Sequence, residues 1–271
     1  MLTVRTYWPK ALSPLIKSFW YLKVSEDLRQ PYIEEILPDL HHEMVFQLNA
    51  AQTRKKAGSS DWVKDPETYF AGQNSKSYKN KFSPGAVIYG IRFHPHTQAL
   101  FYSFPAVLNT DNPISIADVT SGDILPGCIA ESPEKTFANF EKELIKKASR
   151  IQGANAPFQY VDTVIKKIFE QKGNIRISSL EKITGVSDRY LEKTFKKYVG
   201  LSPKQFCNMV RFNHFVQIRK KHPDMQLTEC AYQAEFYDQS HLIRQSHLIT
   251  GKSPKDLFSN SDQINEHFLG D

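Results

Sequence analysis

Residues Thr184–Gln205 (TGVSDRYLEKTFKKYVGLSPKQ) align with Glu235–Asp256 (EFYDQSHLIRQSHLITGKSPKD) along the whole of both segments. Leu191 falls on Leu242 and Gly200 on Gly251, and the tripeptide Ser202-Pro203-Lys204 falls on Ser253-Pro254-Lys255. A solenoid needs shorter periods and more copies than two. The repeat predicts two related helical modules joined by a helix.

Each copy has the punctuation of a short helix, a tight turn and a second helix. In the first, Ser179–Thr184 is the short helix, Gly185-Val186 the turn, and Ser187 the cap of the next helix. Serine there accepts a hydrogen bond from an otherwise unpaired first-turn amide. Leu191, Phe195 and Tyr198 then recur at helical spacing and form an inward face. Arg189, Glu192, Lys193 and Lys196 share another face. In the second copy Asp238 caps a helix Gln239–Thr250, with Leu242 and Ile249 inward and Gln239, Ser240, Ile243, Arg244 and His247 outward. These outward residue types suit a major-groove reading helix. Arginine and lysine pair with guanine edges or phosphates, glutamine with adenine, an acid with the cytosine amino group, and isoleucine with a thymine methyl. One such face could equally be a solvated surface; two copies favour a double-stranded DNA partner.

The segment between the copies, Pro203–Lys221, reads as one helix, about 28 Å long at 1.5 Å per residue. Neighbouring major-groove faces on one side of a duplex are about 34 Å apart. A rod of this length can hold two reading helices in adjacent grooves. Charge follows the same division. Residues 172–258 carry 15 lysines and arginines against eight acids, net +7, whereas residues 1–150 carry 18 against 16. A positive field over the C-terminal third favours approach to a phosphate backbone.

The first ~125 residues read as β-rich, with proline, glycine and asparagine punctuation. Strands are expected at Leu15–Val24, Tyr32–Leu37, Met44–Leu48, Thr68–Ala71 and Ala86–Phe93, and a short helix within Thr97–Phe104. Ala51–Asp65 is polar and is expected as a surface loop. Many short strands suggest a small barrel or sandwich. From Ser132 the pattern becomes helical. Phe137, Phe140, Leu144, Ala148 and Ile151 form one apolar stripe, and Phe158, Val161, Val164 or Ile165, and Ile168 a second. Each stripe fits either core packing or a dimer seam. The fold class is therefore α+β in two domains. A β-rich barrel or cupin-like regulatory domain spans 1–125, a helical linker with dimerisation potential 126–172, and an all-α DNA-binding domain 173–271.

No apolar run approaches the ~18 residues of a membrane span, and the N-terminus lacks a signal-peptide layout, so no membrane partner and a cytoplasmic location are expected. Cys128, Cys207 and Cys230 are far apart and form no CxxC pair, which predicts reduced, buried thiols.

The segment Ile175–Phe258 resembles the C-terminal DNA-binding domain of the AraC/XylS family of bacterial transcription regulators. VSDRYLEKTFKKYVGLSPKQF and AEFYDQSHLIRQSHLITGKSPKDLF carry the resemblance. It implies base contacts through Arg189, Glu192 and Lys193 in the first module and Gln239, Ser240, Ile243 and Arg244 in the second, with Lys196 and His247 as backbone neighbours. It also implies an operator duplex, a small-molecule effector or a homodimer, and a contact with RNA polymerase. The chain departs from the family at three places. Glu235 replaces the glycine before Phe236, Ser246 replaces a core phenylalanine, and Glu181 replaces a small residue. The first implies strain if φ is positive, and the second a loss of core contacts. In the N-terminal part, ILPDLHHEMVFQLN and IYGIRFHP are similar to a sensor-like domain of some family members.

The competing interpretation is a cupin-like metal-binding enzyme fused to a DNA-binding module. His94-Pro95-His96 is an HxH, and His41-His42 lies upstream. The glutamate customary after such a motif is missing, since Thr97-Gln98-Ala99-Leu100 follows. Neither a nucleophile elbow, nor a phosphate loop, nor HExxH occurs. No enzyme activity, metal or cofactor is therefore expected.

Overall fold

The computed structural model describes residues 2–49, 52–120, 125–151, 153–258, 264–265 and 267. The end of the expected C-terminal domain (259–263, 266 and 268–271) and Ala51 of the expected loop lie outside the described residues.

Among the described residues the first half of the chain holds ten strands. These are β1 (Leu2–Tyr7), β2 (Ile16–Val24), β3 (Tyr32–Ile36), β4 (His42–Leu48), β5 (Thr53–Lys56), β6 (Val63–Lys64), β7 (Thr68–Ala71), β8 (Tyr78–Phe82), β9 (Val87–Phe93) and β10 (Ile114–Ser115). They form two antiparallel sheets, in the orders β1-β2-β9-β4-β7-β10 and β3-β8-β5-β6. Side chains alternate faces along a strand, and the larger sheet uses both faces. Phe19, Met44, Phe46, Phe70, Tyr89, Ile91 and Phe93 point to one side; Trp20, Leu22, Val24, Val45, Tyr69 and Ile88 point to the other. The second set packs against Phe82 of the smaller sheet, together with Tyr32 and Ile36. The expected barrel is thus two open sheets stacked face to face.

The expected loop Ala51–Asp65 is corrected by β5 and β6, which extend the smaller sheet. Its polarity is misleading because Arg54 points inward. It is 5% exposed, with Nε 3.4 Å from the buried Asp65 carboxylate. The β1 and β8 strands were also unannounced by pattern.

After two single turns, α1 (Gln98–Phe101) and α2 (Ile116–Val119), come α3 (Pro133–Ala148) and α4 (Ala156–Glu170). Ser132 and Asn155 cap them through their side-chain oxygens, and each helix has proline in its first turn, where a missing N–H costs nothing. The stripe of α3 covers the free face of the larger sheet, burying Phe137, Phe140 and Leu144 against Phe19, Phe46 and Tyr89. The stripe of α4 enters the core of the C-terminal helices. Both are consumed within the chain, so neither is available as the dimer seam that its spacing also allowed.

The remaining helices are α5 (Ile177–Thr184), α6 (Asp188–Val199), α7 (Pro203–Lys221), α8 (Leu227–Gln233), α9 (Gln239–Thr250) and α10 (Pro254–Leu257). The rod, the second reading helix and the Ser187 cap lie where the repeat placed them. All three cysteines are buried and unbridged.

Candidate nucleic-acid interface

The two modules, α5–α6 and α8–α9, share the long helix α7. Its Phe206, Val210, Phe212 and Phe215 are buried in one continuous core with Leu191, Phe195, Leu242 and Ile249 from the reading helices. Ser202 starts α7 with a capping box, its oxygen taking the Gln205 amide while Gln205 Oε1 takes the Ser202 amide at 2.9 Å. Two otherwise unpaired amides are satisfied at once, which fixes the rod's direction directly after α6.

Both reading helices are built alike. Ser187 accepts the Tyr190 amide, and Asp238 accepts the His241 amide at 2.6 Å. Gly200 and Gly251 end them at φ 90° and 72°, a left-handed conformation in which a Cβ would be crowded. Between these ends, Arg189, Lys193 and Lys196 on α6 are exposed, as are Gln239, Ser240, Ile243, Arg244 and His247 on α9. Glu192 differs: it is half-buried, and its carboxylate takes the Lys196 ammonium at 2.7 Å. The arrangement thus presents two parallel sets of long hydrogen-bonding side chains on rigid, capped helices. Burial and the nearby guanidiniums of Arg211 and Arg244 push the His241 imidazole below its ordinary pKa, the mark of a positive local field.

The family departures each have a structural account. Glu181 Oε1 accepts the Asp188 amide at 2.5 Å and so adds a partner at the α6 N-terminus. Glu235 does sit at positive φ, 59°. The Phe236 amide bonds back to the Ala231 carbonyl at 2.9 Å around it, the Schellman ending that favours glycine at this place. Ser246 overturns the expectation of lost packing. It is fully buried, and its hydroxyl donates to the Lys252 carbonyl at 2.8 Å, so it serves the turn after α9.

Side chains the sequence did not single out also border the interface. Tyr237 is 87% exposed and Tyr232 69%. Tyr237 aligns with half-buried Val186 in the other module, so comparing the two copies could have marked it. Periodicity could not reveal that the C-terminal ends of both reading helices rest on the β-rich domain. His42 Nε2 lies 3.0 Å from the Val199 carbonyl, and Thr110 Oγ1 donates to the Gly200 carbonyl at 3.2 Å. At the second module, the Ser77 amide donates to the Ile249 carbonyl at 2.7 Å and Lys252 pairs with Glu35.

The histidines of the enzyme alternative go separate ways. His94 faces the Ser13 carbonyl, His96 pairs with Asp162, His42 faces Gln98 and Val199, and His41 faces the Phe93 carbonyl. Among the described residues no group of three or more histidine, cysteine or carboxylate side chains is placed to hold a metal. Nor is any helix there long and apolar enough to cross a membrane.

Residues 180–260 match the model of a helix-turn-helix domain, the AraC-type form. The chain carries an AraC-type helix-turn-helix domain at its C-terminus and is a DNA-binding transcription regulator. Residues 6–115 of the regulator match a domain of unknown function, DUF6597, which brings no ligand with it. No curated protein is a detectable sequence relative. Among solved structures, ToxT from Vibrio cholerae aligns at 10% identity over 94% of this chain and 97% of that one, with a TM-score of 0.45. ToxT bound to an unsaturated fatty acid aligns at 10% identity over 94% of both chains, again at 0.45. The AraC-like activator CuxR aligns at 10% identity over 100% of this chain and 91% of that one, at 0.23. Likenesses at these scores carry no argument about ligand or mechanism.

Proposed function

We propose that the regulator reads two adjacent major-groove segments of one operator. In this reading Arg189, Glu192 and Lys193 meet the bases of one segment and Gln239, Ser240, Ile243 and Arg244 those of the next, while Lys196 and His247 hold phosphates. The observation that carries it is the doubled exposed face on two capped helices sharing one rod. Glu192 reaches a cytosine only by releasing Lys196, which frees that ammonium for phosphate. The protein acts in the bacterial cytoplasm, where its operator lies, and no enzymatic role is proposed.

The β-rich domain is the controlling element, because it touches the ends of both reading helices and so holds their mutual orientation. A small-molecule effector works by preferring one docked arrangement over another. Self-association and a contact with RNA polymerase would use surfaces other than the two buried stripes.

Random-site selection with the full chain tests the reading. The expected result is a bipartite site with two blocks about one helical turn apart, and affinity that falls steeply with salt. Recovery of no preferred sequence overturns it.

A further inference from the structure

Beyond α10, Ile264, Asn265 and His267 return to the β-rich domain. β3 is an outer strand of the smaller sheet, so alternate residues turn backbone N–H and C=O groups away from the sheet. Asn265 meets two of these groups. Its Oδ1 accepts the Leu37 amide at 3.0 Å, and its Nδ2 donates to the Glu35 carbonyl at 2.5 Å. A side-chain amide thereby bonds β3 as a neighbouring strand would. The main-chain carbonyl of Asn265 accepts from the Lys220 ammonium at 3.0 Å, in the last turn of α7. One residue joins the rod to the β-rich domain.

Glu34 completes the site. It stands between Tyr32 and Ile36, which pack into the apolar cluster between the sheets, and is 2% exposed. Its Oε1 accepts the amides of Ile264 at 2.6 Å and Asn265 at 3.0 Å, and Tyr32 donates to Oε2 at 2.5 Å. A buried carboxylate needs such donors. Ile264 itself is buried and enters the space between the sheets beside Trp20, Leu22, Ile36 and Phe82. His267 Nε2 lies 2.5 Å from Thr6 Oγ1 on β1, an outer strand of the larger sheet. The segment therefore touches the outer strands of both sheets.

We propose that this stretch of β3 is a peptide-recognition site, and that Ile264-Asn265 occupies it as a releasable clasp holding the DNA-reading helices on the β-rich domain. Recognition has three parts. The Glu34 carboxylate selects two consecutive main-chain N–H groups. The Leu37 amide and the Glu35 carbonyl select a carboxamide, which offers an acceptor and a donor side by side. The space between the sheets selects the apolar side chain ahead of it. Peptide sites on strand edges divide recognition this way, main-chain bonds giving affinity and side-chain pockets specificity.

Release is local. One apolar side chain and a few hydrogen bonds hold the clasp, whereas Phe206, Val210, Phe212 and Phe215 anchor the helical core. A segment so held opens before the domains on either side unfold. Once it opens, the tie from Lys220 to β3 is lost. Docking then rests on contacts such as His42 with Val199 and Ser77 with Ile249. The clasp's role rests on the β-rich domain controlling the reading helices; its recognition of a peptide does not.

The full-length protein without DNA tests it. Ile264→Ser with Asn265→Asp removes the apolar anchor and sets a carboxylate against Glu34 and the Glu35 carbonyl, so the clasp should open with the circular-dichroism spectrum kept. A fluorescent peptide spanning residues 259–271 should bind this variant one-to-one. It should leave the native chain unbound, because there the tethered copy holds the site at high effective concentration. The same peptide carrying Asn265→Asp should bind the variant about tenfold more weakly or worse, since a buried carbonyl is left without its donor. Hydrogen exchange followed by NMR should show the Ser77 amide, bonded to the Ile249 carbonyl at 2.7 Å, exchanging about tenfold faster in the variant. Failure of the peptide to saturate the variant at millimolar concentration overturns the proposal. So does equal binding of the two peptides, equal binding to native chain and variant, or unchanged Ser77 exchange. A native dimer in sedimentation that the variant lacks would assign the clasp to a neighbouring copy and overturn it too. Operator recognition is measured separately by site selection, so failure here leaves that reading standing.

Discussion

His42 of β4 reaches across the domain boundary to Val199, its Nε2 3.0 Å from the carbonyl oxygen that ends the first reading helix. Burial lowers the His42 pKa, which favours a ring with one N–H. Val199 O and Gln98 Oε1 both face that ring, so donation from Nε2 to Val199 requires the Gln98 amide to turn and present its unpartnered Nε2 to Nδ1. One imidazole thereby ties the sensor-like domain to the DNA-reading element. His42→Leu should destabilise the full chain by about 1–3 kcal/mol, because a buried carbonyl loses its donor. Urea denaturation measures this; an unchanged midpoint would mean the contact contributes nothing.

Ser246 is the test of how far a family pattern can be trusted locally. A phenylalanine at its position would have to fit where the hydroxyl now meets the Lys252 carbonyl at 2.8 Å. Ser246→Phe should destabilise by about 1–3 kcal/mol through overpacking and loss of that bond. A higher thermal midpoint in the variant would show that space exists beside Leu242 after all.

Glu235 pays a backbone cost that a glycine would avoid. Its φ of 59° lies in the left-handed region, which is unfavourable for a residue with a Cβ by about 1–2 kcal/mol. The carboxylate does accept a hydrogen bond from Asn174, but on an exposed surface. Glu235→Gly should therefore gain up to about 1 kcal/mol, the greater unfolded-state freedom of glycine taking back part of the benefit. Equilibrium denaturation checks it, and a lower stability would assign the Asn174 bond a larger role than its exposure suggests.

The reading helices were legible in the sequence because their constraints are local. A cap at Ser187 or Asp238, a stripe at helical spacing and a terminal glycine each act within a dozen residues. The six-stranded sheet was partly legible for the same reason: Phe70 and Phe93 lie in alternating apolar runs. Long-range pairing was not. TRKK at β5 reads as solvent-facing until Asp65 is brought beside Arg54, and Leu2–Tyr7 becomes a strand only through its partner β2. The docking of the β-rich domain on the helices was least legible, since His42 and Val199 meet there from positions far apart in the chain.

Acid should weaken the fold. His41 is held near 3, and His42, His94 and His214 are also lowered, burial being the first cause in each. The unfolded chain takes up protons at these sites below about pH 6.5, whereas the folded chain resists them, so stability falls as pH falls. Glu43, pushed up from 4.5 to about 7 by burial, and Asp65, also raised by burial, act in the opposite direction, but they stand against these four histidines and His241, which is lowered as well. The urea midpoint should be lower at about pH 5.5 than at about pH 7.5. A flat or rising profile would show that the carboxylates outweigh the histidines.

Arg244 and Lys196 separate base reading from backbone holding. Both are exposed on the reading helices, at neighbouring positions of the repeat: Arg244 aligns with Lys193, and Lys196 with His247. An arginine on a guanine edge forks two donors onto O6 and N7, so Arg244→Ala should cost about 1–3 kcal/mol at one base pair and relax the choice there. Lysine on a phosphate carries no base information, so Lys196→Ala should weaken all duplexes alike and reduce the salt slope by about 1. Binding of both variants to the selected operator and to single-base variants, across a salt series, tells the two roles apart. Equal and uniform losses in both would remove Arg244 from base recognition.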